Sequence, residues 1–258
     1  MVATLLGLFP QFIPSSPLLI PTLALIAALV FLHIVLFFGT IFIDPQDLAT
    51  KQSHRDTTYT HRRGFPVINA YSRICGICCV DVDARTYHCK QCNKCTAGFD
   101  HHCVWVNCCV GEANYRWFIG VVGVGWVLVT VFTAATAWIV GVYSQERTRF
   151  EYVVTSLVSK SPPGMSKAIV AYVCLMLIVG ILSFMAISAL LWFHIKINIL
   201  GLTTLGYIEL EQELKQTDTP TALHQLSAWR NLRDRLRKRT DTWSFSSGPF
   251  SARRETGR

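Results

Sequence analysis

Residues 75–109 read CGICCVDVDARTYHCKQCNKCTAGFDHHCVWVNCC, and this stretch decides how the chain is organised. It contains nine of the ten cysteines of the protein together with three histidines. Three cysteine pairs within it have the spacing Cys-x2-Cys, namely Cys75–Cys78, Cys89–Cys92 and Cys92–Cys95. A two-residue spacer aims both sulfurs at one ion, which is how structural zinc is often held. The pattern therefore predicts bound metal.

A disulfide-bonded scaffold is the competing interpretation of these cysteines. Extracellular disulfide scaffolds do not usually lie between long apolar segments of the kind that flank this stretch. The reducing cytosol would keep the thiols free. Metal binding is therefore favoured over disulfides.

The number of possible ligands exceeds what two zinc ions require. Two tetrahedral ions take eight ligands, and the stretch offers twelve: Cys75, Cys78, Cys79, His88, Cys89, Cys92, Cys95, His101, His102, Cys103, Cys108 and Cys109. An unligated cysteine close to an unligated histidine makes a possible nucleophile and base. The run Asp100-His101-His102-Cys103 supplies both, with a carboxylate to orient the imidazole. The residues alone leave open which eight bind metal.

The stretch resembles the DHHC protein S-acyltransferases, or palmitoyltransferases. Their cysteine-rich domain reads Cys-x2-Cys-x9-His-Cys-x2-Cys-x2-Cys-x4-Asp-His-His-Cys-x5-Cys, followed by Gly-x2-Asn-x3-Phe. Every fixed position is matched, by Cys75, Cys78, His88, Cys89, Cys92, Cys95, Asp100, His101, His102, Cys103, Cys109, Gly111, Asn114 and Phe118. The run Asp44-Pro45-Gln46-Asp47 after an apolar segment is also similar to the Asp-Pro-x-Asp motif of one subfamily.

The resemblance implies two interleaved structural zinc sites and a separate catalytic group. One zinc ion is implied to bind Cys75, Cys78, His88 and Cys95, and the other to bind Cys89, Cys92, His102 and Cys109. Cys103 is then the nucleophile, His101 its base, and Asp100 the group that selects the tautomer of His101. Three thiolates give each zinc site a formal charge of about −1. Imidazole rather than metal is therefore expected to activate Cys103.

Three positions depart from the family pattern. Val104 replaces the usual proline after the nucleophile, and Cys108 replaces an asparagine. Proline there fixes a turn, so its loss is expected to be tolerated. The family's Thr-Thr-x-Glu motif begins at Thr203 but ends with Gly206. Whether Glu209 supplies the missing carboxylate, or the site is weakened, is open at this point.

Several other side chains have ordinary interpretations. His33 lies in an apolar segment and is expected to bond to a neighbouring helix. Residues 61–63, His-Arg-Arg, are expected to form a solvated connector, with lipid headgroups or coenzyme A phosphates as the alternative contact. Cys79 and Cys108 are expected to be packing residues or incidental acylation sites.

The rest of the chain has the composition of a membrane protein, with 51% apolar and 16% charged residues. Three segments, 18–43, 117–142 and 168–195, exceed the roughly 20 residues that a membrane-spanning helix needs. Residues 1–17 are expected to be an apolar stub of a further helix, since DHHC enzymes usually have four spans. The predicted fold is an all-α polytopic membrane protein with a small cytosolic zinc-bound domain, residues 44–115, of irregular loops and short hairpins.

Basic residues are distributed unevenly between the predicted loops. Eleven of the 24 lie in the tail 196–258, nine lie between residues 44 and 116, and four lie in the loop 143–167. The positive-inside rule therefore predicts a cytosolic zinc domain and tail and a lumenal loop 143–167, in an endomembrane such as the Golgi or endoplasmic reticulum.

In the tail, the pattern of residues 223–236 predicts an amphipathic helix that binds anionic lipid or a partner. A disordered end is predicted after Thr240.

The predicted function is transfer of a long-chain acyl group from palmitoyl-coenzyme A to Cys103 and then to a cysteine of a protein substrate near the bilayer. The net charge of +8 is too diffuse to favour nucleic acid. A non-catalytic, membrane-anchored zinc scaffold is the alternative, and Gly206 and the expected shortness of the first helix favour it. The intact Asp100-His101-x-Cys103 run favours the enzyme. A zinc ubiquitin-ligase module does not fit the order of cysteines and histidines.

Overall fold

A computed structural model describes residues 19–53, 67–69, 71–157 and 164–216. The predicted stub 1–17, the connector 61–63, the tail helix 223–236 and the end after Thr240 lie outside the described residues. The helices are α1 (Leu19–Phe42), α2 (Leu48–Ser53), α3 (Tyr115–Gln145), α4 (Arg147–Leu157), α5 (Met165–Leu200) and α6 (Thr204–Gln216). The strands are β1 (Tyr87–Cys89), β2 (Lys94–Thr96), β3 (His101–Cys103) and β4 (Cys108–Val110).

Three of the described helices are long and apolar enough to cross a membrane: Ile20–Phe42, Tyr115–Gln145 and Met165–Leu200. Many of their large apolar side chains, such as Phe31, Phe42 and Leu182, point away from the protein. That exposure suits contact with lipid, because apolar surface is stable there without protein cover. The prediction of a mostly helical protein with three candidate membrane helices is confirmed.

Helix α3 is the central member of the group, and glycines bring α1 close to it. A Cβ atom added to Gly39 of α1 would overlap the Trp117 indole, and one added to Gly120 would lie 3.0 Å from the Leu36 side chain. Small residues of this kind allow helices to pack closely in membranes, where the hydrophobic effect does not drive association.

Helix α4 lies in the segment 143–167, which the sequence analysis treats as a polar loop. Phe150 and Val154 of this helix are buried against Ile139 and Val142 of α3 and Val173 of α5. Residues four apart share one face of a helix, so a short apolar stripe within a polar segment is enough to hold α4 in place. The stripe is too short to give a clear signal in the sequence.

Two short antiparallel hairpins form the cysteine-rich part of the chain. In the first, β1 pairs with β2, and His88 lies opposite Cys95. In the second, β3 pairs with β4, and His102 lies opposite Cys109. The predicted short hairpins are therefore present.

The chain leaving α1 is tied directly to the first hairpin. The Pro45 carbonyl accepts a hydrogen bond from the Ala97 amide at 2.9 Å, and the Asp47 amide donates to the Cys95 carbonyl at 2.9 Å. The buried Asp47 carboxylate accepts a bond from the Thr86 hydroxyl at 2.7 Å. The Asp-Pro-Gln-Asp run thus fixes the cysteine-rich part to the end of the first long helix.

Asn114 makes a second connection at the start of α3. Its amide nitrogen donates to the Thr40 carbonyl of α1 at 2.9 Å and to the Cys109 carbonyl of β4 at 3.0 Å. Its amide oxygen accepts a bond from the Gly111 amide at 2.9 Å. The side chain is completely buried, so three of its hydrogen-bonding positions are satisfied within the protein.

The described residues from Ile197 to Gln216 belong to a second compact unit. Its described part turns at Gly201, which has a φ of 68°, a value that glycine adopts without strain. The Leu202 amide donates to the Ile197 carbonyl at 2.9 Å. Helix α6 then begins with a cap, because the Thr203 hydroxyl accepts a bond from the Gly206 amide at 3.2 Å.

Candidate active site and metal-binding groups

The first cysteine and histidine group consists of Cys75, Cys78, His88 and Cys95, all of them buried. The Nδ1 atom of His88 lies 3.6 Å from the Cys75 sulfur, 3.5 Å from that of Cys78 and 3.6 Å from that of Cys95. The sulfurs of Cys78 and Cys95 are 3.6 Å apart. Four donor atoms thus surround one small volume.

The second group consists of Cys89, Cys92, His102 and Cys109. The Nδ1 atom of His102 lies 3.7 Å from the Cys89 sulfur, 3.4 Å from that of Cys92 and 3.9 Å from that of Cys109. Each group thus brings together the same four residues that the family resemblance implies for one zinc ion.

These distances fit tetrahedral metal binding. Zn–S and Zn–N bonds of about 2.3 and 2.0–2.1 Å place neighbouring ligand atoms of a tetrahedron about 3.5–3.8 Å apart. The separations, 3.4–3.9 Å, lie within about 0.1 Å of that range and greatly exceed a disulfide length of about 2.05 Å. Both groups are therefore able to hold a metal ion, and their three sulfurs and one imidazole are donors that suit zinc.

The protonation of the first group also depends on its close packing. A hydrogen bond from Cys95, which outweighs the effect of burial, lowers the pKa of Cys75 to about 3. The same bond, together with burial, raises the pKa of Cys95. The thiols therefore share protons rather than ionise independently, and a bound metal would displace those protons.

Strand geometry separates the two groups. Successive side chains of a strand point to opposite faces, and directly opposed residues of a hairpin share a face. His88 and its cross-strand neighbour Cys95 both belong to the first group, while Cys89, the next residue after His88, belongs to the second. This alternation produces the interleaving.

The same alternation gives strand β3 two functional faces. His102 points to the second metal-binding group with its cross-strand neighbour Cys109. His101 and Cys103, two residues apart, lie on the opposite face and belong to neither group. The described structure therefore leaves this histidine and this thiol available to each other.

Asp100, His101 and Cys103 lie close together at strand β3. The buried Asp100 carboxylate lies 2.7 Å from the Nδ1 atom of His101, and His101 shares one face of β3 with the Cys103 thiol. Burial lowers the pKa of His101, but its bonds to Asp100 and Cys103 outweigh burial and raise the pKa to about 9. Because Asp100 occupies Nδ1, the second ring nitrogen is the one left to exchange a proton with the thiol.

The thiol of Cys103 has the opposite shift. Burial raises the pKa of Cys103, but hydrogen bonds from His101 and from the amides of Val106 and Trp105 outweigh it and hold the pKa below its ordinary value. Together the two shifts favour the pair of thiolate and imidazolium, which is the reactive form of a cysteine nucleophile.

Apolar side chains surround Cys103. The buried thiol packs with Val110, Phe118 and Val122, and half-buried Ile187 and Leu191 of α5 complete the cluster. Residues of both α3 and α5 therefore meet at the candidate nucleophile.

The site includes two residues that sequence reasoning missed. The Tyr115 hydroxyl lies 3.2 Å from the Nδ1 atom of His194, near the end of α5. His194 is buried and its ring centroid lies 6.0 Å from that of His101. A lone histidine in an apolar segment was the available signal, but the sequence analysis applied it to His33. The His33 ring lies beside α3, where a Cβ atom added to Gly125 would be 3.2 Å from it, and its Nδ1 atom makes no hydrogen bond to a neighbouring helix among the described residues.

The two remaining thiols of the stretch lie outside both metal-binding groups. Cys79 is exposed, with a φ of 55°. Cys108 is half-buried, and its sulfur lies 3.7 Å from the Thr40 carbonyl. Neither contributes a ligand atom to the described groups.

A family model described as DHHC palmitoyltransferase matches residues 68–211, more than half of the chain. This range includes both metal-binding groups, Asp100, His101 and Cys103, and the neighbouring residues of α3 and α5. The chain belongs to the DHHC palmitoyltransferase family. Membership in this family explains why every fixed position of the motif from Cys75 to Phe118 is present in the sequence.

Several DHHC proteins resemble the chain over parts of its length. It is 32% identical over 137 residues to probable protein S-acyltransferase 20 of Arabidopsis thaliana, covering 52% of this chain and 19% of that protein. It is 49% identical over 49 residues to human palmitoyltransferase ZDHHC17, covering 19% of this chain and 8% of that one. It is 39% identical over 64 residues to palmitoyltransferase erf2 of Emericella nidulans, covering 25% and 11%. The chain thus matches at most about a fifth of the length of these relatives.

Proposed function

We propose that this chain is a protein S-acyltransferase that carries a long-chain acyl group, palmitoyl above all, on Cys103. One observation carries the proposal. The Cys103 thiol lies outside both metal-binding groups, shares a face of β3 with His101, and belongs to an apolar cluster that includes side chains of two candidate membrane helices. A thiol with a base on one side and apolar helices on the other suits attack on the thioester of a long-chain fatty acyl group.

The first step forms an acyl-enzyme. His101 takes the proton of the Cys103 thiol, and Asp100 stabilises the resulting imidazolium from the Nδ1 side. The thiolate attacks the carbonyl carbon of acyl-coenzyme A, and the bond from that carbon to the coenzyme A sulfur breaks. Coenzyme A leaves with the proton held by His101, so the products are the Cys103 thioester and free coenzyme A.

The second step regenerates the enzyme. The thiol of a cysteine in the protein substrate gives its proton to His101, attacks the acyl carbonyl and displaces Cys103, which recovers the proton. One thioester replaces another in both steps. The protein therefore contributes alignment and exclusion of water rather than driving force.

The acyl chain is proposed to lie between α3 and α5. Val122 of α3 and Leu191 of α5 begin an apolar surface at Cys103. Further along the same helices, a small apolar cavity is lined by Val129, Phe132 and Met176. Burial contributes about 0.8 kcal/mol for each CH2 group of the chain. A long-chain donor would therefore be held mainly by its tail.

The two cysteine and histidine groups are proposed to bind structural zinc. When bound, zinc would supply a rigid cross-link between segments that have little hydrophobic core of their own. His102 belongs to the second group and lies between His101 and Cys103 in β3. Its ligation would thereby hold the backbone of the catalytic face in register.

The cysteine-rich part and the tail are proposed to face the cytosol, in the Golgi or endoplasmic reticulum. The cytosolic orientation is supported by the distribution of basic residues, with nine between residues 44 and 116, eleven from Lys196 onward and four in the intervening loop. A cytosolic site would have access to acyl-coenzyme A and to cytosolic or membrane proteins with accessible cysteines. It would also keep the nine clustered cysteines reduced.

The experiment is incubation of the purified, detergent-solubilised protein with radiolabelled palmitoyl-coenzyme A, followed by gel separation with and without hydroxylamine. We expect label on the wild type that hydroxylamine removes, no label on Cys103→Ala, and wild-type labelling on Cys79→Ala, which changes an exposed thiol. Absence of label from the wild type, or its persistence in Cys103→Ala, would contradict the proposal. Normal zinc content without labelling would favour the non-catalytic scaffold.

A further inference from the structure

His194, which is buried, and Tyr115, which is half-buried, form a polar pair beside the catalytic histidine. The Tyr115 hydroxyl and the Nδ1 atom of His194 are 3.2 Å apart. Tyr115 is in the first turn of α3 and His194 is near the end of α5, so the pair joins two candidate membrane helices. His194 is buried, with a relative solvent exposure of 2%.

The pair contacts the ring of His101 through aromatic packing. The Phe118 ring meets the His101 ring edge to face at a centroid distance of 5.1 Å and meets the His194 ring in the same manner at 5.1 Å. The His101 and His194 centroids are 6.0 Å apart. The Asp100 carboxylate holds only one atom of the His101 ring, and the remaining contacts restrict rotation about that hydrogen bond.

We propose that His194, held in place by Tyr115, is a positioning residue for His101. On the proposed function, on which this inference rests, His194 keeps the imidazole of His101 at the angle at which its second nitrogen faces the Cys103 thiol. Asp100 fixes the position of the His101 ring from one side, while Phe118 and His194 fix its plane.

The chemistry of the pair supports a role beyond packing. Burial of the His194 imidazole costs free energy that a hydrogen bond only partly recovers, whereas leucine or phenylalanine would fill the same space without that cost. The hydrogen bond does what an apolar side chain cannot, because it fixes the orientation of the His194 ring. A correctly oriented ring against His101 matters because small displacements of a catalytic group cost up to about 100-fold in rate.

The test uses Tyr115→Phe, His194→Leu and His194→Asn. Asparagine keeps a polar atom close to the position of Nδ1, whereas leucine does not. Formation of the acyl-enzyme would be followed by rapid quench over a range of palmitoyl-coenzyme A concentrations. This measurement separates the saturating rate constant from the half-saturating concentration. Tyr152→Phe, at an exposed tyrosine of α4, is the matched control, and zinc is measured in every variant.

We expect Tyr115→Phe and His194→Leu to lower the saturating rate constant about 10-fold or more. The half-saturating concentration and the zinc content should remain those of the wild type. His194→Asn should recover most of the rate. The double variant Tyr115→Phe with His194→Leu should be no slower than His194→Leu alone, because both changes remove one interaction.

Wild-type rate constants in both single variants would overturn the inference, as would a loss confined to the half-saturating concentration. Equal losses in His194→Leu and His194→Asn would also overturn it. If His194→Leu does not fold, the rate constant of Tyr115→Phe tests the inference, because that variant removes only a single hydroxyl group. A wild-type protein that forms no acyl-enzyme overturns the proposed function and this inference with it. A normal wild type with unaffected variants overturns the inference alone.

Discussion

His88 and Cys89 are adjacent in strand β1, yet they belong to different groups of four ligand residues. Their side chains point to opposite faces of the hairpin, as successive residues of a strand must. The same relationship in β3 separates His102 from His101 and Cys103. The backbone of two three-residue strands thereby separates the two metal-binding groups from each other and from the proposed catalytic residues His101 and Cys103.

Replacement of a ligand residue should remove metal, whereas replacement of the nucleophile should not. We expect Cys89→Ser to bind about one zinc ion fewer per chain and to give a lower yield of folded protein, because the remaining donors no longer complete a tetrahedron. Cys103→Ser should retain two zinc ions. Elemental analysis by mass spectrometry measures both, with Cys79→Ser as the control at an exposed thiol. Equal zinc loss in Cys89→Ser and Cys103→Ser would show that the proposed ligand sets are wrong.

Loss of the proposed base His101 should slow the reaction without removing metal. We expect His101→Gln to slow acyl-enzyme formation by about 100-fold or more, because glutamine fills a similar space but cannot accept the Cys103 proton. Asp100→Asn should slow the same step by a smaller factor, since it leaves the base but weakens the stabilisation of its charged form. Rapid-quench measurements give the rate, and zinc content should be unchanged. A rate within twofold of the wild type in His101→Gln would exclude it as the base.

Asn114 should be essential for stability rather than for chemistry. We expect Asn114→Asp to destabilise the protein by about 3 kcal/mol, because a carboxylate cannot donate to the Thr40 and Cys109 carbonyls. Thermal unfolding of the detergent-solubilised protein should show a lower midpoint. Glu112→Gln, at the nearby half-exposed ion pair with Arg85, should change the midpoint little. Similar midpoints for the two variants would contradict the structural role.

Close packing of α1 on α3 should be sensitive to one methyl group. We expect Gly39→Ala to destabilise the protein by about 1–3 kcal/mol, because the added Cβ atom overlaps the Trp117 indole. Gly123 has open space around it, so Gly123→Ala should be neutral or slightly stabilising through its helix propensity. Unfolding midpoints in the same detergent provide the comparison, and a neutral Gly39→Ala would mean that the two helices adjust freely.

Much of the fold was predictable because it depends on local composition. The three long apolar helices follow from apolar segments longer than a bilayer requires. Helix α4 was not predicted, because Phe150 and Val154 are too few to stand out in a polar segment and are stabilised by Ile139 and Val173, which are distant in sequence. Sequence patterns detect elements that carry their own periodicity and miss those that depend on a partner.

The sequence by itself determined the chemistry of this protein: the donor atoms for metal, a cysteine beside a histidine and a carboxylate, and apolar segments for a membrane. It left twelve candidate ligands, and the family resemblance rather than spacing implied how to divide them. Only the tertiary structure decided which side chains face one another, because strand alternation and helix packing act through space. The contact of Tyr115 with His194, 79 positions apart in the chain, is of that kind. No local pattern encodes it, since it exists only after α3 and α5 have packed together.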